Sequence, residues 1–131
     1  MSTATWIALV DDDLSVRRAL PRLLRSAGYQ TRAFASAQDL LESRFAESAA
    51  CLVLDIHLER TSGFELYERL RASGVMIPTI FITAYDDDAI RDRARSLGAV
   101  AFLRKPFDAG ALLNAVATAL TIAPPDQAAR T

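Results

Sequence analysis

Residues 51–55 read Cys51-Leu52-Val53-Leu54-Asp55: four apolar side chains in succession, closed by a carboxylate. A strand with one face in water alternates apolar and polar residues, and this run does not. It reads as a strand covered on both faces, as in a parallel sheet flanked by helices. Three similar runs occur, at Trp6–Val10, Thr79–Ile82 and Val100–Leu103, with a weaker one at Thr31–Phe34. Between them the period changes to that of a helix. Val16, Leu20, Leu23, Leu24 and Ala27 form one stripe, closed by Gly28 as a C-cap signal. Leu40, Leu41 and Phe45 form a second, and Phe64, Tyr67 and Leu70 a third that ends near Gly74. Ile90, Ala94 and Leu97 form a fourth, closed by Gly98, and Leu112, Leu113, Val116 and Leu120 a fifth. The order is β then α, repeated five times. It predicts an α/β fold with a parallel sheet and right-handed crossovers. Pro21 conflicts with its surroundings. Inside a helix it removes a backbone hydrogen bond, so it should cost about 3 kcal/mol or kink the first helix.

The chain has 131 residues, 51% of them hydrophobic, which is one domain with enough apolar material for a core that needs no disulfide or metal staple. Its 15 basic and 16 acidic residues nearly cancel, which argues against direct nucleic-acid binding. Cys51 is the single cysteine, so no intramolecular disulfide can form, and a reducing cytoplasm is the expected compartment. The first residues carry no signal-peptide pattern. The apolar runs are far shorter than the ~20 residues that span a bilayer, so no membrane association is expected. Residues 1–120 read as the domain and 121–131, with two prolines, as a tail or linker stub. Fourteen of the 15 basic residues are Arg, which leaves Lys105 as a possible site for a compact ammonium in place of a planar guanidinium fork.

The chemistry gathers at the strand ends. Asp11, Asp12 and Asp13 follow the first strand, Asp55 closes the third, Thr83 the fourth, and Lys105-Pro106 follow the fifth. In an open parallel sheet these positions share the carboxyl edge, where ligands bind at the topological switch point. Clustered carboxylates repel one another and favour a hard cation such as Mg²⁺, held by oxygens. A lysine to neutralise phosphate and a threonine hydroxyl to bond it complete a phosphoryl-transfer site, where catalysis is mostly positioning and charge neutralisation. Asp55, alone at its strand end, is the candidate nucleophile for an aspartyl phosphate.

With VDDDLSVRRAL, LVLDIHL, FITAY and AFLRKPF in this order, the chain resembles the receiver domains of two-component response regulators over about residues 5–120. Each piece alone is weak; the four together at this spacing are specific. The style is close to receivers that precede helix-turn-helix effectors. The resemblance implies a doubly wound, flavodoxin-like (βα)5 fold with strand order 2-1-3-4-5. It implies a signalling domain, not an enzyme beyond its own phosphorylation and dephosphorylation. Asp55 would accept a phosphoryl group from a sensor histidine kinase. Asp12 would hold Mg²⁺ directly, with Asp55 and the backbone carbonyl of His57, and Asp11 through water. Thr83 would contact the phosphoryl group, Lys105 would pair with it, and Phe102 would turn inward on activation. The Lys105–Pro106 bond would be cis. The fourth helix, fifth strand and fifth helix would form a partner or homodimer surface. Glu59 departs from the family pattern, which often has proline there and a stiffer loop. His57 and Tyr85 occupy positions that tune phosphoryl lifetime in the family.

Simpler readings stand beside these. Asp13 fits a helix N-cap, and Asp86, Asp87 and Asp88 fit capping and solvation before the fourth helix. His57 has no histidine partner, and its side chain reads as loop-exposed rather than as a ligand. Cys51 reads as core, and Arg91, Arg93 and Arg95 as a solvated helix face. An aspartate-nucleophile phosphatase would carry a second aspartate at position 57 and an added cap. A pseudo-receiver would not keep Asp11, Asp12, Asp55, Thr83 and Lys105 together. A nucleotide-binding module would need a glycine-rich phosphate loop, which is absent from the sequence.

Overall fold

The computed structural model describes residues 5–85 and 87–122. Five strands and five helices follow one another in the expected alternation. These are β1 (Trp6–Val10), α1 (Leu14–Ser26), β2 (Gln30–Phe34), α2 (Ala37–Ser43), β3 (Cys51–Asp55), α3 (Gly63–Ala72), β4 (Thr79–Thr83), α4 (Asp88–Ser96), β5 (Ala101–Arg104) and α5 (Ala109–Leu120). All neighbouring strands are parallel and the order is β2-β1-β3-β4-β5, the doubly wound arrangement. The chain reverses its direction of travel across the sheet between β1 and β3, which opens a crevice at their carboxyl ends.

Strand alternation divides the core in two. Ala8, Val10, Leu52, Leu54 and Phe81 face α2, α3 and α4, where they meet Leu40, Phe64, Leu66, Tyr67, Leu70 and Ala94. Ile7, Leu9, Val53, Ile80 and Ile82 face α1 and α5, against Leu20, Leu24, Leu112, Ala115, Val116 and Ala119. Every residue of β3 and β4 is buried, which is why these runs carry no alternation. The β2 pattern is weak because β2 pairs only with β1 and is half exposed.

Helix starts follow local chemistry. The side chains of Asp13, Ser36, Ser62, Asp87 and Asp108 accept hydrogen bonds from the first backbone amides of α1 to α5 in turn. Asp13 and Asp87 are thus caps, as expected; Asp86 lies outside the described residues, as does the tail from residue 123 onward. Gly28, at φ +94°, sits just past the end of α1 in the left-handed region that favours glycine.

Two sequence expectations need adjusting. Phe45 is not in α2. That helix ends at Ser43, Arg44 turns left-handed at φ 58°, and Phe45 opens a short 3₁₀ turn, its amide bonded to the Ser43 hydroxyl at 3.0 Å. Its ring still joins the core, 6.0 Å from Phe34. Leu97 caps α4 rather than lying inside it, and its carbonyl accepts the Tyr67 hydroxyl of α3 at 2.9 Å. Pro21 lies inside α1, which runs from Leu14 to Ser26.

Candidate functional site

Asp11 is the first residue past β1 and is fully buried. Its amide continues the sheet by donating to the Phe34 carbonyl at 3.1 Å, and its own carbonyl accepts Arg17 Nη1 at 2.9 Å. Its Oδ1 accepts the Asp13 amide at 2.9 Å, which aims Oδ2 toward the crevice. Asp12, beside it, is exposed.

Asp55 ends β3 and is 4% exposed. Its Oδ1 accepts the His57 amide at 3.0 Å, and its Oδ2 accepts Lys105 Nζ at 3.2 Å. Asp11, Asp12 and Asp55 each present a carboxylate oxygen within 4.8 Å of the others. The register that pairs Asp55 with Ile82 brings it beside the end of β4.

Lys105 is delivered by β5. Its amide donates to the Thr83 carbonyl at 2.7 Å, which fastens the end of β5 to β4, and the Lys105–Pro106 bond that follows is cis. Lys105 Nζ also lies 2.7 Å from Asp11 Oδ2, a close ion pair to this buried carboxylate.

The electrostatics follow from burial. Loss of water and the nearby Asp11 charge push the Asp55 carboxyl up to about 6, against the opposing pull of the His57 amide and Lys105. Burial pulls the Lys105 ammonium down, but the two carboxylates together outweigh it and hold the group above its ordinary value. The crevice gathers three carboxylates, an oxygen-only acidic donor set, around the Lys105 ammonium. Such a set fits a hard divalent ion.

Thr83 ends β4 and is fully buried. Its hydroxyl accepts the Tyr85 amide at 3.0 Å and pairs with His57 Nδ1 at 3.1 Å. The His57 ring in turn meets the Tyr85 ring edge-on at 4.8 Å. His57 is exposed, as expected, but it is not idle: its ring is committed to Thr83. Phe102 lies opposite Phe81 in the β4–β5 register, half-buried on the α4 side, with the Arg91 guanidinium 5.8 Å from its ring centre. Strand alternation puts Thr83 on the same face as Phe81. Cys51 is buried core, and burial pushes its thiol up to about 12.

Two contributors left little mark in the sequence. Arg17, which holds the Asp11 carbonyl, sits in a stretch that reads as a helix face. Gly63 opens α3 against the end of β3: its amide donates to the Ile56 carbonyl at 2.8 Å, and a Cβ there would collide with the Asp55 carbonyl oxygen. The only trace of it in the sequence is the Ser62-Gly63 pair before a helical stripe.

Residues 7–117 match the response regulator receiver domain as a family. Nodulation protein W of Bradyrhizobium diazoefficiens is 42% identical over 118 residues, which cover 90% of this chain and 52% of that protein. The solved response regulator StyR is 43% identical with a TM-score of 0.87, over 98% of this chain and 65% of that one. The receiver domain of DrrB, solved in a BeF3-activated form, is 27% identical with a TM-score of 0.81, over 92% of this chain and all (100%) of that one. The chain spans about half the length of the curated relatives it matches.

Proposed function

Since the chain belongs to the response regulator receiver domain family, we propose that it is a switch operated by phosphorylation of Asp55. The family works in phosphorylation-dependent two-component signalling; the acceptor, the donor and the output surface are our assignments. The observation that carries the reading is Lys105 Nζ at 2.7 Å from Asp11 and 3.2 Å from Asp55, beside the cluster of three carboxylates.

An Asp55 carboxylate oxygen attacks the phosphorus of the donor, which we take to be a phosphohistidine of a sensor kinase. The new P–O bond forms as the P–N bond breaks, and the electron pair leaves with the imidazole. The His57 amide holds Asp55 Oδ1, which orients the attacking group. Lys105, already between the two acids, pairs with the phosphoryl oxygens. The carboxylates of Asp12 and Asp55 and the backbone carbonyl of His57 would hold Mg²⁺, with Asp11 acting through water. When bound, the ion supplies neutralising charge at the phosphoryl oxygens.

The output follows the α4 side of the sheet. Thr83 and Phe102 lie on adjacent strands and face the same way, so a shift of the first changes the space open to the second. Beyond Phe102 lies a groove of about 600 Å³ between α4, β5 and α5, lined by Arg91, Arg95, Phe102, Arg104 and Phe107. We assign partner binding or self-association to this face. We take the chain not to bind nucleic acid directly, on the near balance of its 15 basic and 16 acidic residues, and no described helix is long and apolar enough to cross a membrane.

The test is direct. Incubation with Mg²⁺ and a small phosphodonor should add one hydroxylamine-labile phosphoryl group, read by intact mass. Asp55→Asn should take up none. An unlabelled wild type, or equal labelling of the variant, removes the assignment.

A further inference from the structure

The Thr83 hydroxyl is spoken for. A hydroxyl has one proton to give and two lone pairs to accept with. One lone pair takes the Tyr85 amide at 3.0 Å, and His57 Nδ1 lies 3.1 Å from the same oxygen. If Nδ1 is bare, the contact uses the only proton of Thr83. If Nδ1 carries a proton, the contact fills the second lone pair. In both cases Oγ1 is held on the His57 side, and among the described residues it makes no hydrogen bond to Asp55 or to the Lys105 ammonium. The imidazole is itself braced by the edge of the Tyr85 ring at 4.8 Å and 68°.

We propose that the His57 side chain is a positioning residue that holds the Thr83 hydroxyl in its resting place and competes for it with a phosphorylated Asp55. This rests on Asp55 as acceptor and on Thr83 as the group that meets the phosphoryl oxygens. Those oxygens only accept hydrogen bonds at neutral pH, so Thr83 must give its proton to them, and with Nδ1 bare that is the same proton His57 holds. In that tautomer, breaking the His57 contact is part of every activation. It also frees His57 and Tyr85, which join the loop after β3 to the loop after β4. The histidine therefore sets the threshold of the switch, apart from any shielding of the phosphoryl group from water.

The experiment is a titration of the 131-residue chain with beryllofluoride in excess Mg²⁺, followed by ¹⁹F NMR of the bound fluoride. His57 is exposed on a loop, so its substitution leaves the core untouched. His57→Phe keeps a ring against Tyr85 and removes Nδ1. It should bind beryllofluoride about fivefold more tightly, the effect of one neutral hydrogen bond. His57→Asn carries a polar atom on Cγ where imidazole carries Nδ1, and it should restore the wild-type midpoint. In a Thr83→Ala background the His57→Phe effect should vanish, because the partner is gone. An unchanged or weaker midpoint in His57→Phe overturns the proposal, as does a fivefold shift that persists without the Thr83 hydroxyl. A wild type that binds no beryllofluoride overturns the acceptor reading instead, and this inference with it.

Discussion

The carboxylate of Asp55 works against the fold above about pH 6. Its folded pKa is raised to about 6 from an ordinary 3.8, first by burial and then by Asp11. A raised acid favours the protonated form in the native state. Its destabilisation is therefore full above the folded value and gone below the unfolded one. Asp55→Asn should stabilise the metal-free protein by about 2 kcal/mol at pH 7.5, and by almost nothing at pH 4. Urea unfolding in a chelator at the two pH values measures this; equal gains at both would mean that charge is not the cause. Lys105 makes a different demand. Its Nζ fits between two carboxylate oxygens at 2.7 and 3.2 Å with only 18% of the side chain exposed. A guanidinium keeps the charge but spreads it over a planar fork. Lys105→Arg should still take up phosphoryl at Asp55 yet fail to pass the change to Phe102. Intact mass and the Phe102 NMR signals report the two events separately, and full coupling in the variant would make the single lysine an accident of composition.

At the scale of elements, the sequence was most legible where periodicity is strong. The buried strands β3 and β4 and the long stripes of α1 and α5 were found because an uninterrupted apolar run, or a spacing of 3.6 residues, fits few alternative structures. The end of α2 was not. An apolar residue at the right spacing, Phe45, packs equally well from a 3₁₀ turn, and the left-handed step at Arg44 has no glycine to announce it. The convergence of Asp11, Asp55 and Lys105 could be read because each sits at a strand end. The contacts of His57 and Gly63 could not, because they depend on how one loop folds back on β3. Much hangs on that loop at Gly63. A methyl group there meets backbone that cannot yield as a side chain does. Gly63→Ala should destabilise the protein by about 1–3 kcal/mol and slow phosphoryl uptake at Asp55. Chemical denaturation beside a labelling time course would show it, and a variant as stable as wild type would mean that α3 can shift freely.

For the whole molecule, Phe102 lines the groove between α4, β5 and α5, the face assigned above to partner binding. Activation with beryllofluoride and Mg²⁺ should increase self-association, read by sedimentation velocity, and Phe102→Ala should blunt the increase while leaving Asp55 reactive. Equal association with and without the mimic would turn attention to a partner of another kind. Against this face, the division of the core acquires a mechanical meaning. The sheet is a partition with a quiet room and a working room. Thr83 and Phe102 open toward α4, whereas α1 and α5 close over Ile7, Leu9, Val53, Ile80 and Ile82 on the far side. On the proposed reading, a change at Asp55 would reach the working room through Thr83 and Phe102, with the packing of the quiet one on the other side of the sheet. On that reading one half of the interior would rearrange while the other half holds the domain together.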